Sequence, residues 1–352
     1  MNEKQNPVIR KYFAAANSFN GFISFFDQIF NSELYERIYV LKGGPGTGKS
    51  SFMKRVSSEL SKEGCDVEEI YCSSDPQSLD GVIAKSKENK IAVLDGTAPH
   101  ERDAIIPGAI DEIINLGDGW DCRWLIAKKD KILSLIKEKS NAYKSAYSYL
   151  KIAGTAEEYI TSIYNKVFDE IETKNKAEKI LSSILPQSKQ NILPRLTSSF
   201  GKYGHYKIND INYKINENIS IYGDEFASLL FLKKLQNFAC SKGLSYVELK
   251  YPLNPSFSEG LCFDNLQIVI YKGDIGEINS KDYLKDDKMY LERTRVAKET
   301  RKFALFEAER WFSVAAEIHF ELENLYGQAM DFDKNNKILD IKLREMKNIL
   351  QI

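Results

Sequence analysis

Residues 37–53, RIYVLKGGPGTGKSSFM, restrict this chain more than any other stretch. Ile38 to Leu41 read as a buried strand, and Phe52, Met53, Val56 and Leu60 recur at helical spacing after it. Between them Gly43, Gly44, Pro45, Gly46, Thr47, Gly48, Lys49 and Ser50 satisfy GxxxxGK[ST]. Glycines let backbone amides turn toward one anion where side chains would block the approach. The helix that follows directs its positive end at the same place. The pattern predicts a nucleoside triphosphate cradled by residues 43–51, Ser51 included, with Gly64 ending the helix. Lys49 would reach the β- and γ-phosphates and the Ser50 hydroxyl would ligate Mg2+.

A magnesium site needs a carboxylate. In KIAVLDGTAPH, residues 90–100, four apolar residues run directly into Asp95, as in a buried parallel strand that ends in an acid at its ligand-binding edge. Asp95 is therefore the second expected metal ligand, acting through water.

The pattern recurs with its chemistry removed. ISIYGDEFASLLFLKKL, residues 219–235, aligns Gly223 with Gly43, an apolar strand before it and an apolar helix after it. GCDVEEIYCSSDPQSLDG (64–81) lies without a gap on GLSYVELKYPLNPSFSEG (243–260), so Asp75-Pro76 meets Asn254-Pro255, both turn-forming pairs. IAVLDG meets IVIYKG, and YLKIA and IYNKVFD at 149–169 match WFSVA and LYGQAMD at 311–331. In the second copy Gly48, Lys49 and Ser50 become Ser228, Leu229 and Leu230, and Asp95 becomes Lys272. Leucine cannot neutralise a phosphate and an ammonium cannot ligate Mg2+. The second half is expected to keep the frame and lose the nucleotide.

Elsewhere the chain is less specific. Its 352 residues allow two domains, and a net charge of −1 gives no overall attraction to nucleic acid or anionic membrane. Five cysteines without a CxxC pair and three scattered histidines give a zinc site little support. The first residues, MNEKQNPVIRKY, lack a signal-peptide pattern, and the apolar stretch near Phe13 is broken by Asn17, Asn20 and Asp27; a cytoplasmic protein is expected. From about 121 to 185 the pattern suggests two long helices joined near Gly154-Thr155, with Thr155 and Glu158 as a capping box. Tyr143, Tyr147, Tyr149, Tyr159 and Tyr164, and in the counterpart Trp311, Phe312, Phe320 and Tyr326, are expected to pack between helices. SILPQSKQNILPRL, with Pro186 and Pro194, reads as the linker between domains 1–187 and 188–352.

With these residues in view the chain resembles the P-loop NTPases. More narrowly, it resembles an uncharacterised bacterial family of tandem-repeat ATPase-like proteins, through LKGGPGTGKSSFMK, CSSDPQSLDGV, VLDGTAPH, PGAIDEIINLGDGW and IHFELENLYGQAMDF. The resemblance implies an α/β fold of two tandem P-loop-type parallel-sheet domains with helical extensions, ATP and Mg2+ at the first. Members of that family often keep an intact second loop, so this chain would be a degenerate member whose second half is a pseudo-NTPase. No NKxD guanine-reading motif is present. Many hydrolytic relatives carry a glutamate after the metal aspartate; here Gly96 stands there, which implies slow hydrolysis and a base from Asp75, Asp80, His100 or Glu101. Arg293, Arg295, Arg301 and Arg310 are candidates to reach a γ-phosphate from the second half. Three functions follow: an ATPase or nucleotide switch regulated by the second half, a non-catalytic ATP-binding interaction scaffold with a protein partner on its helices, or a small-molecule or nucleotide kinase. Arg123 is the only arginine between Asp103 and Pro194, which disfavours a kinase lid.

Overall fold

The computed structural model describes residues 7–186, 189–208, 217–263, 268–285 and 289–352. The expected domain junction at 187/188 lies outside the described residues.

Among the described residues two six-stranded sheets carry the chain. The N-terminal half contributes β1 (Ile9–Phe13), a β2–β3 hairpin (Ala15–Ser18, Gly21–Ser24), the short α1 (Phe26–Ile29), β4 (Arg37–Lys42), α2 (Lys49–Lys62), β5 (Asp66–Tyr71), β6 (Leu79–Ser86), β7 (Asn89–Asp95) and β8 (Asp111–Asn115). Its sheet order is β1-β5-β6-β7-β4-β8. Helices α3 (Cys122–Ala127), α4 (Lys129–Val167) and α5 (Glu170–Leu181) follow. The C-terminal half contributes β9 (Ile192–Arg195), a β10–β11 hairpin (Ser198–Gly201, Gly204–Lys207), β12 (Glu217–Tyr222), α6 (Glu225–Ser241), β13 (Tyr246–Lys250), β14 (Ser258–Phe263), β15 (Ile268–Lys272) and β16 (Ile278–Asn279). Its sheet runs β9-β13-β14-β15-β12-β16, the same order element for element. Helices α7 (Met289–Gln328) and α8 (Phe332–Leu350) end the chain.

The sheets are mixed, which corrects the expectation of parallel sheets. β6 pairs antiparallel with both β5 and β7, and β14 does the same with β13 and β15. The connections explain it: two residues, Lys87 and Glu88, join β6 to β7, far fewer than a parallel crossover needs. The strands flanking the glycine loop remain parallel, β4 lying between β7 and β8.

Helix α2 packs as its spacing predicts, with Phe52, Met53, Val56 and Leu60 buried beneath Tyr39, Leu41 and Val93. Gly64, at φ +95°, lies just past its end, where a left-handed residue closes a helix. The Gly154-Thr155 joint is corrected: α4 runs unbroken through it for 39 residues. Thr155 bonds back to the Lys151 carbonyl instead of capping, and Gly154 lets the helix lie against Phe19, where a Cβ would clash. The break comes at Asp169, whose carboxylate caps α5.

α4 and α7 form a long antiparallel pair, with Tyr143 and Tyr147 set edge-on against Phe312. Tyr164 is fully buried, whereas Tyr159 and Phe320 face outward. The shorter helices then change sides. α5 packs on α6 of the C-terminal half, while Leu339, Leu343, Met346 and Leu350 of α8 enter the core formed by β4, β7 and α2.

Candidate functional site

The glycine loop leaves the C-terminal end of β4. Gly43, Gly46 and Gly48 take φ of +148°, +71° and +87°, values that an L side chain resists, and α2 starts at the next residue, Lys49. The Thr47 hydroxyl donates to the Gly44 carbonyl at 2.9 Å. The Lys49 ammonium donates to the Gly43 and Gly44 carbonyls at 2.8 and 2.9 Å and lies 3.6 Å from Asp95 Oδ2. Parallel pairing of β4 with β7 sets Leu41 beside Asp95, and this register brings the acid to the loop. Asp95 Oδ1 accepts from the Thr97 amide and hydroxyl. Burial raises the Asp95 pKa above the usual carboxylate range, Lys49 opposes this, and the Asp80 charge adds to it. Ser50 Oγ accepts from the Leu79 amide at 3.0 Å, keeping a second lone pair for another partner. Pro45 is half-buried in the loop and Ser51 is exposed on the first turn of α2.

Trp120 and the C-terminal half of the chain cover this loop. Gly44 lies against Trp120 and Tyr326, Gly46 against the Glu323 carbonyl and the Gly327 amide, and Gly48 against Phe332. The Asn335 amide donates to the Thr47 carbonyl at 3.0 Å. None of these contacts follows from local sequence. Their only trace there is LYGQAMD, residues 325–331, which matches IYNKVFD at 163–169 of the first half.

The candidate bases separate. Asp75 forms a turn with the Gln77 amide and pairs with Lys202 at 2.9 Å. Asp80 and His100 are buried together, 3.0 Å apart, with the imidazole stacked on Phe26. Glu101 is exposed. The arginines lie elsewhere. Arg295 and Arg310 pair along their own helix, Arg293 is exposed, and Arg301 binds Glu157 of α4 and Glu225 of α6.

In the second copy the loop has wound into helix. Gly223 keeps a positive φ, +112°, but α6 begins at Glu225, so the positions matching Pro45 to Gly48 are helical. The Asp224 carboxylate accepts from the Phe226 and Ala227 amides, and so holds the amides that open the helix. Lys272, opposite Asp95, lies 3.7 Å from Glu259.

The residues present suit a magnesium nucleotide. Left-handed glycines precede a helix start that lacks a side-chain cap, and the indole N–H of Trp120 beside Gly44 is buried without a hydrogen-bond acceptor. Ser50 and Asp95 would hold the metal, and Lys49 with the loop amides would hold the phosphates. Mg2+ suits so small a protein contribution because it keeps several waters and takes phosphate oxygens. Among the described residues no group of three or more His, Cys, Asp or Glu converges on a metal position, and no helix is long and apolar enough to cross a membrane. Comparison of the chain with protein-family models, curated proteins and solved structures gave no match.

Proposed function

We propose that the chain is a Mg-ATP-dependent P-loop ATPase or nucleotide switch. In this reading the N-terminal half binds the nucleotide and the C-terminal half is a pseudo-NTPase that regulates it. One observation carries the reading: a glycine loop between a strand and a helix start, with Lys49 3.6 Å from an acid at the end of the neighbouring parallel strand. Positive φ at Gly46 and Gly48 aims backbone amides and a helix terminus at one point, the arrangement that favours phosphate. Regulation by the second half is supported by its contacts on Gly44, Gly46, Thr47 and Gly48.

Hydrolysis would be slow. Gly96 follows Asp95, and Asp80 and His100 engage each other rather than open solvent. The same observation favours the second reading, a scaffold that keeps ATP as a structural ligand and binds a partner through α4 and α7. Titration of the intact chain with Mg-ATP, followed by single-turnover phosphate release, tests both. Binding with release supports the switch, binding without release supports the scaffold, and no binding ends the proposal.

A further inference from the structure

The two halves arrange the same polar positions in opposite ways. Arg301 on α7 meets Glu157 of α4 at 3.0 Å and Glu225 at 3.1 Å, and donates to the Tyr251 hydroxyl at 2.8 Å. The helices repeat with an offset of 162 residues (331−169), so Lys139 on α4 corresponds to Arg301 and His319 on α7 to Glu157. The loops repeat with an offset of 180 (223−43), so Gly44 and Pro45 correspond to Asp224 and Glu225. The first half thus keeps a cation here and has lost all three carboxylates. Among the described residues no carboxylate lies within ion-pairing distance of Lys139; its polar neighbour is His319 Nδ1 at 3.4 Å. Burial holds its pKa below the ordinary lysine value.

This cation is tied to the glycine loop. His319 Nε2 lies 3.6 Å from Glu323 Oε1, and the Glu323 carbonyl abuts Gly46. A second cation, Lys202, arrives from the β10–β11 turn. It pairs with Asp75, in the segment whose Leu79 amide bonds Ser50. In the C-terminal half, Asp224 and Glu225 supply negative charge from the chain itself. In the N-terminal half the matching positions, Gly44 and Pro45, carry no charge, and the acids that act on the two lysines, Glu323 and Asp75, lie outside them.

We propose that Lys139, together with Lys202, engages the terminal phosphate of a nucleoside triphosphate seated in the Gly43–Ser50 loop and so distinguishes triphosphate from diphosphate. The proposal rests on the nucleotide-binding reading above. Lys202 belongs to the C-terminal half, so the same contact would report the nucleotide's state to that half.

Calorimetric titration of the full chain with a non-hydrolysable Mg-ATP analogue and with Mg-ADP tests it. Lys139→Met, which keeps the apolar stem, is expected to weaken the triphosphate about tenfold and the diphosphate less than about threefold. Lys202→Met should act in the same direction more weakly, since Asp75 shares that charge. Equal losses for both nucleotides, or none, would overturn the sensor and leave nucleotide binding intact. A wild-type chain that binds neither nucleotide would overturn the binding reading and the sensor with it. Should Lys139→Met fail to fold, Lys139→Arg and Lys202→Met make the same comparison: discrimination kept in the first and reduced in the second supports the proposal, and any other pattern defeats it.

Discussion

The Asn335 side-chain amide donates to the Thr47 carbonyl at 3.0 Å across 288 residues of sequence, tying the last helix to the first half's glycine loop. Leu339, Leu343, Met346 and Leu350 of the same helix fill the core under β4, β7 and α2. α8 is therefore part of the N-terminal half's core although it belongs to the C-terminal half in sequence. Leu343→Ala should cost about 2–4 kcal/mol. Hydrogen exchange should accelerate in β4, β7 and α2 more than in β12, β15 and α6. Even loss of protection across both halves would contradict the exchange of helices.

Lys49 binds its own loop, and its removal separates binding from folding. Lys49→Ala leaves the Gly43 and Gly44 carbonyls without the ammonium, a loss of about 1–2 kcal/mol of stability. The effect on nucleotide should be larger, about a hundredfold in affinity, because charge-assisted bonds to phosphate are lost. Asp95→Asn should leave that affinity partly intact in EDTA and abolish its enhancement by Mg2+. Calorimetry with and without the metal decides both. An unchanged affinity in Lys49→Ala would end the phosphate assignment.

The glycine loop, the acid at the end of β7 and the repeat were legible because each is encoded locally: a strand's apolar run, glycines at fixed offsets, a helix's spacing. The antiparallel β6 was not, because a run such as GVIAKS has the same alternation in either direction, and only the two-residue link at Lys87-Glu88 decides it. The supposed joint at Gly154-Thr155 misled for a related reason. Glycine marks a break or a close approach equally well, and here it admits Phe19. The wall over the loop, from Glu323 to Asn335, depends on α7 and α8 crossing to the other half, which no spacing within either half specifies.

Arg301 supports a buried charge whose loss should depend on pH. The Glu157 side chain is 2% exposed, and Arg301 is its ion-pair partner. Burial raises the Glu157 pKa, and Arg301 opposes the shift. A folded-state pKa above the unfolded one gives stability that is present at low pH and lost as pH rises through it. Arg301→Ala removes the opposing charge and should cost about 3 kcal/mol at pH 7 and less at acidic pH, where Glu157 takes up a proton. Urea denaturation at pH 7 and at acidic pH reads the difference. Adding Glu157→Gln to the variant should recover much of the loss at pH 7, and its failure to do so would mean that Arg301 acts through packing or Glu225 instead.

His319 contributes the opposite dependence. Partial burial of a side chain still 41% exposed, reinforced by Lys139, Lys49 and Lys202 against Asp75, lowers its pKa to about 4; the nearest acid, Glu323, has a pKa raised mainly by partial burial. In the unfolded chain the ring takes its proton near about 6.5. Between those values the unfolded state binds more protons than the folded one, so stability should rise with pH from about 4 to about 6.5 and level off above. His319→Gln stays neutral throughout and should flatten that part of the profile while changing stability little at pH 7.5. Thermal midpoints recorded at half-unit pH steps check this. Parallel profiles for the two chains would mean that the imidazole titrates alike folded and unfolded, and that the lysines around the glycine loop do not act on it.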